Sequence, residues 1–388
     1  PIEPIVLPQP VNGVGQTTKV RLGRRVYTFA TATVLTVLIA TIFVLSVHSY
    51  SGALMQVGSE PAKAAQPSLL RPTYERGVIY PQWTPNGYGT LDTVWQQDVA
   101  QIKTQTGAQW IEIPVLFTQS TSNSINVGMS QSAPTPQAFA EGIQRVHALG
   151  YKVFFVPLMQ VVQVGGWSGS ITFQTAAQEQ AWFDSYWKAL QPFVTAAAIN
   201  HVEQMAIGTE LQALQQTVPA SLWNTLITNI RSVFKNTLTY DMNWSSLATP
   251  VPTWFKNPNL TYIGVSTYIP LEDKPMRVDP QQISALWQEK IKTKLDALAI
   301  QLGKQVIISE IGYRNSTDAL YQTWLANSKA KPDPAEQAGA YNAALSNVLG
   351  DTHIAGTFFW GWNDVGLFAI AGQPAVQTLL KWYTLKQA

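Results

Sequence analysis

The run Met205-Ala-Ile-Gly-Thr-Glu210 and its counterpart Val306-Ile-Ile-Ser-Glu310 are short apolar segments that each end on a glutamate. Their length and aliphatic content are typical of buried strands in a parallel sheet. A charged side chain at the end of such a strand is unfavourable unless it is used. Glu210 and Glu310 therefore indicate paired carboxylate chemistry at one end of a set of parallel strands.

Eight β-rich runs of this kind alternate with longer helical patterns from Gly77 onward. The runs are Gly77–Tyr80, Trp110–Val115, Lys152–Val156, Gln204–Gly208, Leu238–Asn243, Tyr262–Thr267, Gln305–Ser309 and Ala355–Trp360. Helices are predicted over Thr90–Thr106, Pro136–Leu149, Thr175–Ala198, Ala220–Lys235, Pro280–Leu302 and Asp333–Leu349. Because alternating units indicate a parallel α/β fold, and residues 74–388 have the size of a (β/α)8 TIM barrel, we predict that barrel.

A doubly wound open sheet uses the same βα units and is the alternative architecture. Sheets of that kind that bind nucleotides carry a glycine-rich fingerprint after their first strand. In this chain the first strand is followed by Tyr80-Pro-Gln-Trp-Thr-Pro-Asn86. The missing fingerprint favours the barrel.

The N-terminal region has a different composition. Val26–Val47 contains no charged residue and has the length that a membrane-spanning helix needs, so we predict a transmembrane helix over residues 26–48 that contacts the lipid bilayer. A cleaved signal peptide is the alternative, although its apolar region usually runs only about 7–15 residues. The preceding cluster consists of Lys19, Arg21, Arg24 and Arg25.

The position of that cluster predicts the orientation in the membrane. Basic residues next to a spanning helix stay on the cytoplasmic side. We therefore expect residues 1–25 to be a disordered cytoplasmic tail, residues 49–73 to be a linker, and residues 74–388 to be an extracellular catalytic domain. This is a single-pass arrangement in the cell membrane.

Composition excludes several classes of ligand. Lys and Arg number 25 and Asp and Glu number 23, so the net charge of +2 gives no strong field that would attract nucleic acid. The chain has no cysteine, and its four histidines lack ligand spacing, so we expect neither a metal nor another cofactor. Neutral ligands are favoured, and the oligomeric state is left open.

The positions of the two glutamates in the predicted barrel suggest a reaction. Catalytic groups of such barrels lie at the C-terminal ends of strands, and Glu210 and Glu310 end the fourth and seventh. Carboxyls on nearly opposite strands can flank a glycosidic bond, one protonating the leaving oxygen and the other attacking the anomeric carbon. Taken alone, a glutamate at a strand end is more often an ion-pair partner or an anion at a helix N-terminus than a catalyst. Their shared placement favours catalysis.

Residues 74–388 resemble the retaining glycoside hydrolases of clan A. The motifs Gly208-Thr-Glu210, Ser309-Glu310-Ile-Gly312 and Phe359-Trp-Gly-Trp362 are most similar to those of the β-mannanases of glycoside hydrolase family 113. The resemblance implies that Glu210 is the general acid/base and Glu310 the nucleophile of a two-carboxylate double displacement. It also implies a neutral polysaccharide or oligosaccharide substrate, and β-mannan in particular.

One residue departs from the clan pattern. Most members of the clan have asparagine directly before the acid/base, where it bonds the sugar 2-hydroxyl, and this chain has Thr209 there. A hydroxyl lacks the forked donor and acceptor geometry of an amide. The identity of the sugar at the cleavage point is therefore open, and so is the choice between hydrolysis and transglycosylation and between mannan and glucan.

Further residues are candidates for substrate contact. Tyr268 resembles the clan tyrosine that bonds the nucleophile, and packing at the rim is its alternative role. Trp360 and Trp362 are candidates for the platform under the sugar, since indole rings stack on apolar sugar faces. Asn243 and Trp244 after the fifth strand, and Trp83 after the first, could line the groove and bond sugar hydroxyls, with ordinary packing in a loop as the alternative.

Two acidic residues are assigned a different role. Glu112 and Asp241 share strand faces that point into the predicted barrel, and inward charges in mid-strand form buried networks more often than they catalyse.

The loop over residues 158–174 contains a glycine pair and Trp167, which could form a flexible wall of the groove. A non-catalytic carbohydrate-binding or envelope protein on the same barrel is the alternative function.

Overall fold

The computed structural model describes residues 73–364 and 366–385, and in these the eight predicted strands close into a parallel barrel. The strands are β1 Glu75–Ile79, β2 Trp110–Gln119, β3 Lys152–Val161, β4 Gln204–Thr209, β5 Thr237–Asn243, β6 Ile263–Ser266, β7 Val306–Ile311 and β8 Ile354–Phe359. Because β1 pairs in parallel with both β2 and β8, the ring is complete. The predicted barrel is confirmed.

Helices pack around this ring. They are α1 Thr93–Thr106, α2 Pro136–Ala148, α3 Ala176–Ile199, α4 Gln212–Thr217, α5 Ala220–Val233, α6 Pro280–Trp287, α7 Thr293–Leu302, α8 Pro334–Val348 and α9 Ala375–Tyr383. A π-turn over Gln288–Lys292 joins α6 to α7, which the sequence predicts as one helix. After β5 the chain forms the 3-10 turns Trp244–Ala248 and Thr253–Lys256 in place of a longer helix.

Local chemistry explains where several helices begin. The side chains of Asp92, Thr135, Thr175, Asp279 and Asp333 accept hydrogen bonds from backbone N–H groups in the first turns of α1, α2, α3, α6 and α8. Three of these helices also have proline in the first turn, where its missing N–H is no loss. The caps fix the residues at which these helices begin. They thereby fix the lengths of the loops between each strand and the helix that follows it.

Two hydrophobic cores result from this arrangement. A large outer core lies between the barrel and its helices and buries indoles such as Trp95, Trp182 and Trp223. A smaller inner core fills the barrel and contains Phe154, Phe358, Trp360 and Tyr268. Most of the abundant tryptophans therefore serve packing, whereas the inner core reaches the end of the barrel where the glutamates lie.

The N-terminal predictions lie outside the described residues. This applies to the tail over residues 1–25, the transmembrane helix over residues 26–48 and nearly all of the linker over residues 49–73. In the part of the chain that the structure describes, the helices lack the combination of length and apolar character needed to cross a membrane.

Candidate active site

Glu210 follows β4 directly and has an unusual backbone conformation. Its φ angle is +53°, which places a non-glycine residue in the left-handed region. The backbone N–H of Glu210 donates to the Asp241 carbonyl at 2.8 Å, and the register between β4 and β5 shifts between Ala206 and Thr209. Such irregularities re-aim side chains at strand ends, and strained backbone of this kind clusters at functional sites. The carboxylate is partly exposed.

Asn243 holds the Glu210 carboxylate from the neighbouring strand. Its Nδ2 donates to Glu210 Oε1 at 2.8 Å, and its Oδ1 accepts from the Ser245 backbone N–H at 2.9 Å. The second bond fixes the orientation of the amide, because only the oxygen can accept from an N–H. The sequence predicts Asn243 as a groove residue, and the structure places it against the carboxylate itself.

Glu310 lies within β7, one residue before its end. Its backbone carbonyl accepts from the Thr267 N–H at 2.6 Å, and Ser266 of β6 is its partner in the sheet register. The Tyr268 hydroxyl donates to Glu310 Oε1 at 2.5 Å. Tyr268 is 8% exposed, and its own carbonyl accepts from the Thr323 hydroxyl. The nucleophile candidate is therefore oriented by a side chain that is itself held in place.

The two carboxyls are electrostatically coupled. Burial and the neighbouring charge of Glu210 raise the pKa of Glu310 to about 8, although the Tyr268 hydroxyl lowers it. Burial also raises the pKa of Glu210, and hydrogen bonds from Asn243 and Trp167 reduce that rise. Carboxyls that repel each other in a buried site ionise in separate steps. The pair therefore holds one proton over a range that extends up to about pH 8.

Two further acids lie below this pair inside the barrel. Asp241 and Glu112 are almost fully buried. Burial raises the pKa of each well above its ordinary value, and so does the charge of Glu310. A Cβ atom built on Gly264 would overlap the Asp241 carboxylate, so glycine makes room for this acid in the neighbouring strand. As the sequence indicates, both acids are buried in the barrel; Asp241 Oδ1 accepts from the Thr239 hydroxyl at 3.4 Å, whereas Glu112 Oε2 has no hydrogen-bond partner among the described residues.

Thr209 is the last residue of β4, directly before Glu210. It is 5% exposed, and its hydroxyl has no hydrogen-bond partner among the described residues. Thr209 pairs with Asp241 in the register of β4 and β5. The Thr209 hydroxyl is therefore buried and has no partner in the part of the chain that the structure describes, and its predicted contact with the substrate stays a prediction.

The tryptophans predicted at the cleft separate into two groups. Trp360, at the end of β8, is 7% exposed, and its ring centroid lies 6.4 Å from that of the partly exposed Trp83. The indole N–H of Trp360 donates to Asp364 Oδ2 at 3.3 Å. Trp362, by contrast, is 2% exposed and packs in the outer core. A sugar cannot reach Trp362 in this arrangement, so its predicted substrate contact is replaced by a packing role.

Other residues at the site are not evident from sequence reasoning. Trp167, noted in the sequence only as part of a flexible loop, lies near enough to Glu210 to lower the pKa of that carboxyl, and Gly169 leaves room for its ring. Arg314, just after β7, is fully buried and donates to the carbonyls of Asp318, Tyr321, Gln322 and Leu325. A buried arginine directly after a strand is a signal for such a loop anchor, but its partners become visible only in the fold.

One group of side chains has the spacing of metal ligands within the described residues. Asp296, Asp351 and His353 have ligand atoms within 4.8 Å of one another. The ammonium of Lys292 is in contact with both aspartates and neutralises one of their two negative charges. Asp351 and His353 precede β8, at the opposite end of that strand from Trp360. This cluster is separate from the glutamate pair.

Solved structures share the barrel. A β-1,4-mannanase of glycoside hydrolase family 113, solved as a complex, aligns with a TM-score of 0.68 and 18% identity over 80% of this chain and 98% of that chain. The β-mannanase of Alicyclobacillus acidocaldarius in complex with ManMIm gives the same score and identity over 80% and 97%. A family 5 mannosidase from Rhizomucor miehei aligns with a TM-score of 0.51 and 13% identity over 81% and 92%.

Sequence comparison identifies the family. No curated protein is similar enough in sequence to count as a relative. The sequence model of Glycoside Hydrolase Family 113 matches residues 84–373, which covers the barrel from the loop after β1 to the residues before α9. The match spans well over half of the chain and includes both glutamates. The protein therefore belongs to glycoside hydrolase family 113 and is a glycosidase.

Proposed function

We propose that the protein is a retaining β-mannanase in which Glu210 is the general acid/base and Glu310 the nucleophile. The observation that carries this assignment is the 2.5 Å hydrogen bond from the Tyr268 hydroxyl to Glu310 Oε1. That length is typical of an O–H group that donates to an ionised carboxylate. Burial and the charge of Glu210 raise the pKa of Glu310, but the Tyr268 bond lowers it and stabilises the ionised nucleophile, while burial raises the pKa of Glu210 as an acid requires.

The geometry supports a double displacement. Glu210 gives its proton to the glycosidic oxygen while Glu310 attacks the anomeric carbon, so the leaving sugar departs as an alcohol and a glycosyl ester forms on Glu310. Glu210, now ionised, takes a proton from water, which attacks the anomeric carbon and releases Glu310. We expect the carboxyl groups to lie about 5–5.5 Å apart, the spacing of retaining enzymes.

Two variants test the roles separately. Glu310→Gln should abolish turnover, because an amide cannot form the ester. Glu210→Ala should lose hydrolysis of mannan but keep formation of the glycosyl-enzyme from aryl β-mannosides whose leaving groups need no proton. Glu289→Gln, an exposed position on the π-turn after α6, is the matched control. Full activity of both site variants would refute the assignment.

The stereochemistry of the product tests the mechanism independently. Proton NMR of the first product formed from an aryl β-mannoside should show the β anomer before mutarotation. An α anomer would mean inversion and a carboxyl spacing above about 6.5 Å.

The mannan specificity is supported by the solved relatives of the same family, which are β-1,4-mannanases. Mannose and glucose differ in the orientation of the 2-hydroxyl, and Thr209 stands where most of the clan has an asparagine that bonds that hydroxyl. A panel of β-1,4-linked manno- and gluco-oligosaccharides with product analysis decides between them. Faster cleavage of the gluco series would refute the mannanase proposal while keeping the glycosidase.

The location of the enzyme is a separate proposal that rests on sequence alone. We propose that residues 26–48 anchor the protein in the cell membrane, with the catalytic domain outside. Cell fractionation with protease treatment of intact cells tests this. Activity should stay with the membrane pellet and be lost to external protease, whereas activity in the soluble cell contents would refute the anchor.

A further inference from the structure

Two pairs of indole rings lie at the end of the barrel that carries the glutamates. Trp83 and Trp360 form one pair, from the β1 and β8 side. Trp244 and Trp324 form the other, with ring centroids 5.5 Å apart and planes at 27°. Trp83, Trp244 and Trp324 are partly exposed and pack against the inner core that includes Trp360 and Tyr268. The mechanism described above uses neither Trp244 nor Trp324.

The second pair is fixed next to the supports of both carboxyls. Trp244 follows Asn243, whose amide donates to Glu210. Trp324 follows Thr323, whose hydroxyl donates to the carbonyl of Tyr268. Trp244 is therefore next in sequence to the residue that bonds Glu210. Trp324 is next in sequence to the residue that holds Tyr268, which bonds Glu310. A ligand lying on this pair would lie next to the residues that hold the two carboxyls.

The loop that carries Trp324 is held rigidly. The guanidinium of Arg314 donates to four carbonyls between Asp318 and Leu325, and the Asp318 carboxylate accepts from the hydroxyls of Ser316 and Ser328. The Leu320 carbonyl accepts from the N–H groups of Leu271 and Glu272 on the loop after β6. A preorganised aromatic surface loses little conformational entropy when it binds a ligand.

We propose that the Trp244–Trp324 pair is a binding platform for the sugar units on the leaving-group side of the scissile bond. This inference rests on the proposed function. Asn243 supports the acid/base Glu210, which protonates the leaving oxygen, and Trp244 follows Asn243 directly, so we assign the pair to the side of the departing sugars. The two indoles are stacked with their planes at 27°, and the pair presents an uncharged apolar surface of the kind on which pyranose rings pack.

The platform has a consequence for the mode of action. Trp83 and Trp360 follow β1 and β8, whereas Trp244 follows β5 on the far side of the ring, so aromatic surface is available on both sides of the glutamates. An enzyme with sugar sites on both sides cleaves within a chain and favours substrates that extend past the scissile bond. The pair therefore determines preference for substrate length on the leaving-group side.

The test compares two substrates in each variant. Trp324→Ala and Trp244→Ala should lower kcat/KM for manno-oligosaccharides by about tenfold or more, the size of effect expected for losing a well-packed aromatic contact. The loss for aryl β-mannosides, which place no sugar on the leaving-group side, should be several-fold smaller. Trp187→Ala, a partly buried indole on α3, is the matched control and should change both substrates equally.

Further variants guard against a trivial loss of folding. Trp324→Phe keeps an apolar ring in the loop, and it should show the same selective loss in smaller degree with an unchanged melting temperature. An unchanged ratio of kcat/KM between the two substrates in all three platform variants would overturn the platform while leaving the mannanase proposal intact. Failure of the unaltered enzyme to cleave any β-mannoside would instead overturn the proposed function.

Discussion

Glu210 and Glu310 share one proton, and this sharing sets the pH range of activity. The reaction needs Glu310 ionised and Glu210 protonated at the same time. Burial and the charge of Glu210 raise the pKa of Glu310 to about 8, so the last proton leaves the pair near that pH. We expect kcat/KM on an aryl β-mannoside with a poor leaving group to fall as the pH rises through about 8. A flat profile from pH 6 to 10 would contradict this.

Tyr268 should control the acidic side of the same profile. Its hydroxyl donates to Glu310 and lowers the pKa of that carboxyl. Tyr268→Phe removes the donor, destabilises the ionised form and raises the pH at which Glu310 ionises while Glu210 is still protonated. The acidic limb of kcat/KM should therefore move to higher pH, with a fall of about tenfold or more in kcat near neutral pH. An unshifted acidic limb would mean that the tyrosine acts by packing alone.

At the scale of elements, β6 can lie beside β5 only because residue 264 has no side chain. A Cβ atom there would overlap the Asp241 carboxylate and lie 2.8 Å from the Ser309 hydroxyl. We expect Gly264→Ala to lower the free energy of unfolding by about 1–3 kcal/mol, the usual result of overpacking, and to reduce activity by displacing β6 and Tyr268. Gly128→Ala is the control, since its Cβ would meet nothing within 4 Å, and both are compared by urea denaturation.

The loop after β7 depends in the same way on Arg314. Arg314→Lys keeps the positive charge, but a lysine cannot reach four carbonyls in the fixed geometry of a guanidinium. We expect the free energy of unfolding to fall by about 2 kcal/mol or more, because buried carbonyls lose their donors. Arg277→Lys, in an exposed pair with Asp333, should change stability by less than about 1 kcal/mol. Equal effects in thermal melts would contradict the role of the loop anchor.

The strands were predictable because each is buried on both faces and reads as a continuous apolar run. The ends were harder to predict. β3 continues five residues past Val156, and Pro157 pairs in register with Val115 of β2. A proline usually argues against a central strand, so the sequence pattern stops there. α9 was missed because it follows the last strand, where the alternating pattern offers no further constraint.

The site residues also differ in how far the sequence predicts them. Glu210, Glu310 and Asn243 follow from strand order, since the barrel brings the C-terminal ends of its strands together. Trp167 and Arg314 act through loops whose paths depend on contacts distant in sequence, and no periodicity encodes them. The burial of Trp362 beside the partly accessible Trp360 depends on which way the chain turns after β8, which the two-tryptophan motif does not specify.

On the scale of the whole molecule, the acids inside the barrel make stability depend on pH. Burial raises the pKa of Glu75 to about 8, although Lys152 lowers it, and it also raises the pKa values of Glu112, Asp241 and Glu310. An acid whose pKa is higher in the folded state stabilises the fold fully below its unfolded pKa. That stabilisation is lost as the pH rises towards the folded pKa. We therefore expect the melting temperature to fall between about pH 4.5 and pH 8.

Acids whose pKa is lowered in the folded protein limit its stability at low pH. Although burial raises the pKa of Asp318, hydrogen bonds from Ser316 and Ser328 and the charge of Arg314 give a net lowering. The stability that Asp318 contributes is present above its unfolded pKa and is lost as the pH falls through the folded value. The melting temperature should be highest at mildly acidic pH, below which the acids with lowered pKa values lose their contribution and above which the interior acids lose theirs. A maximum above pH 8 would contradict the assignment of raised pKa values to the interior acids.

Glu75→Gln isolates one interior acid at a distance from the catalytic pair. Glu75 begins β1, at the end of the barrel opposite the glutamates, and its Oε2 has no hydrogen-bond partner among the described residues. An amide does not titrate, so the variant should lose a dependence of up to about 1.4 kcal/mol per pH unit in the free energy of unfolding between pH 4.5 and pH 8. Because charging the buried carboxyl is then avoided, the variant should be more stable than the unaltered protein at pH 8, while activity keeps its pH profile. Denaturant titrations at several pH values measure both slopes, with Glu289→Gln as the exposed control whose slope stays unchanged.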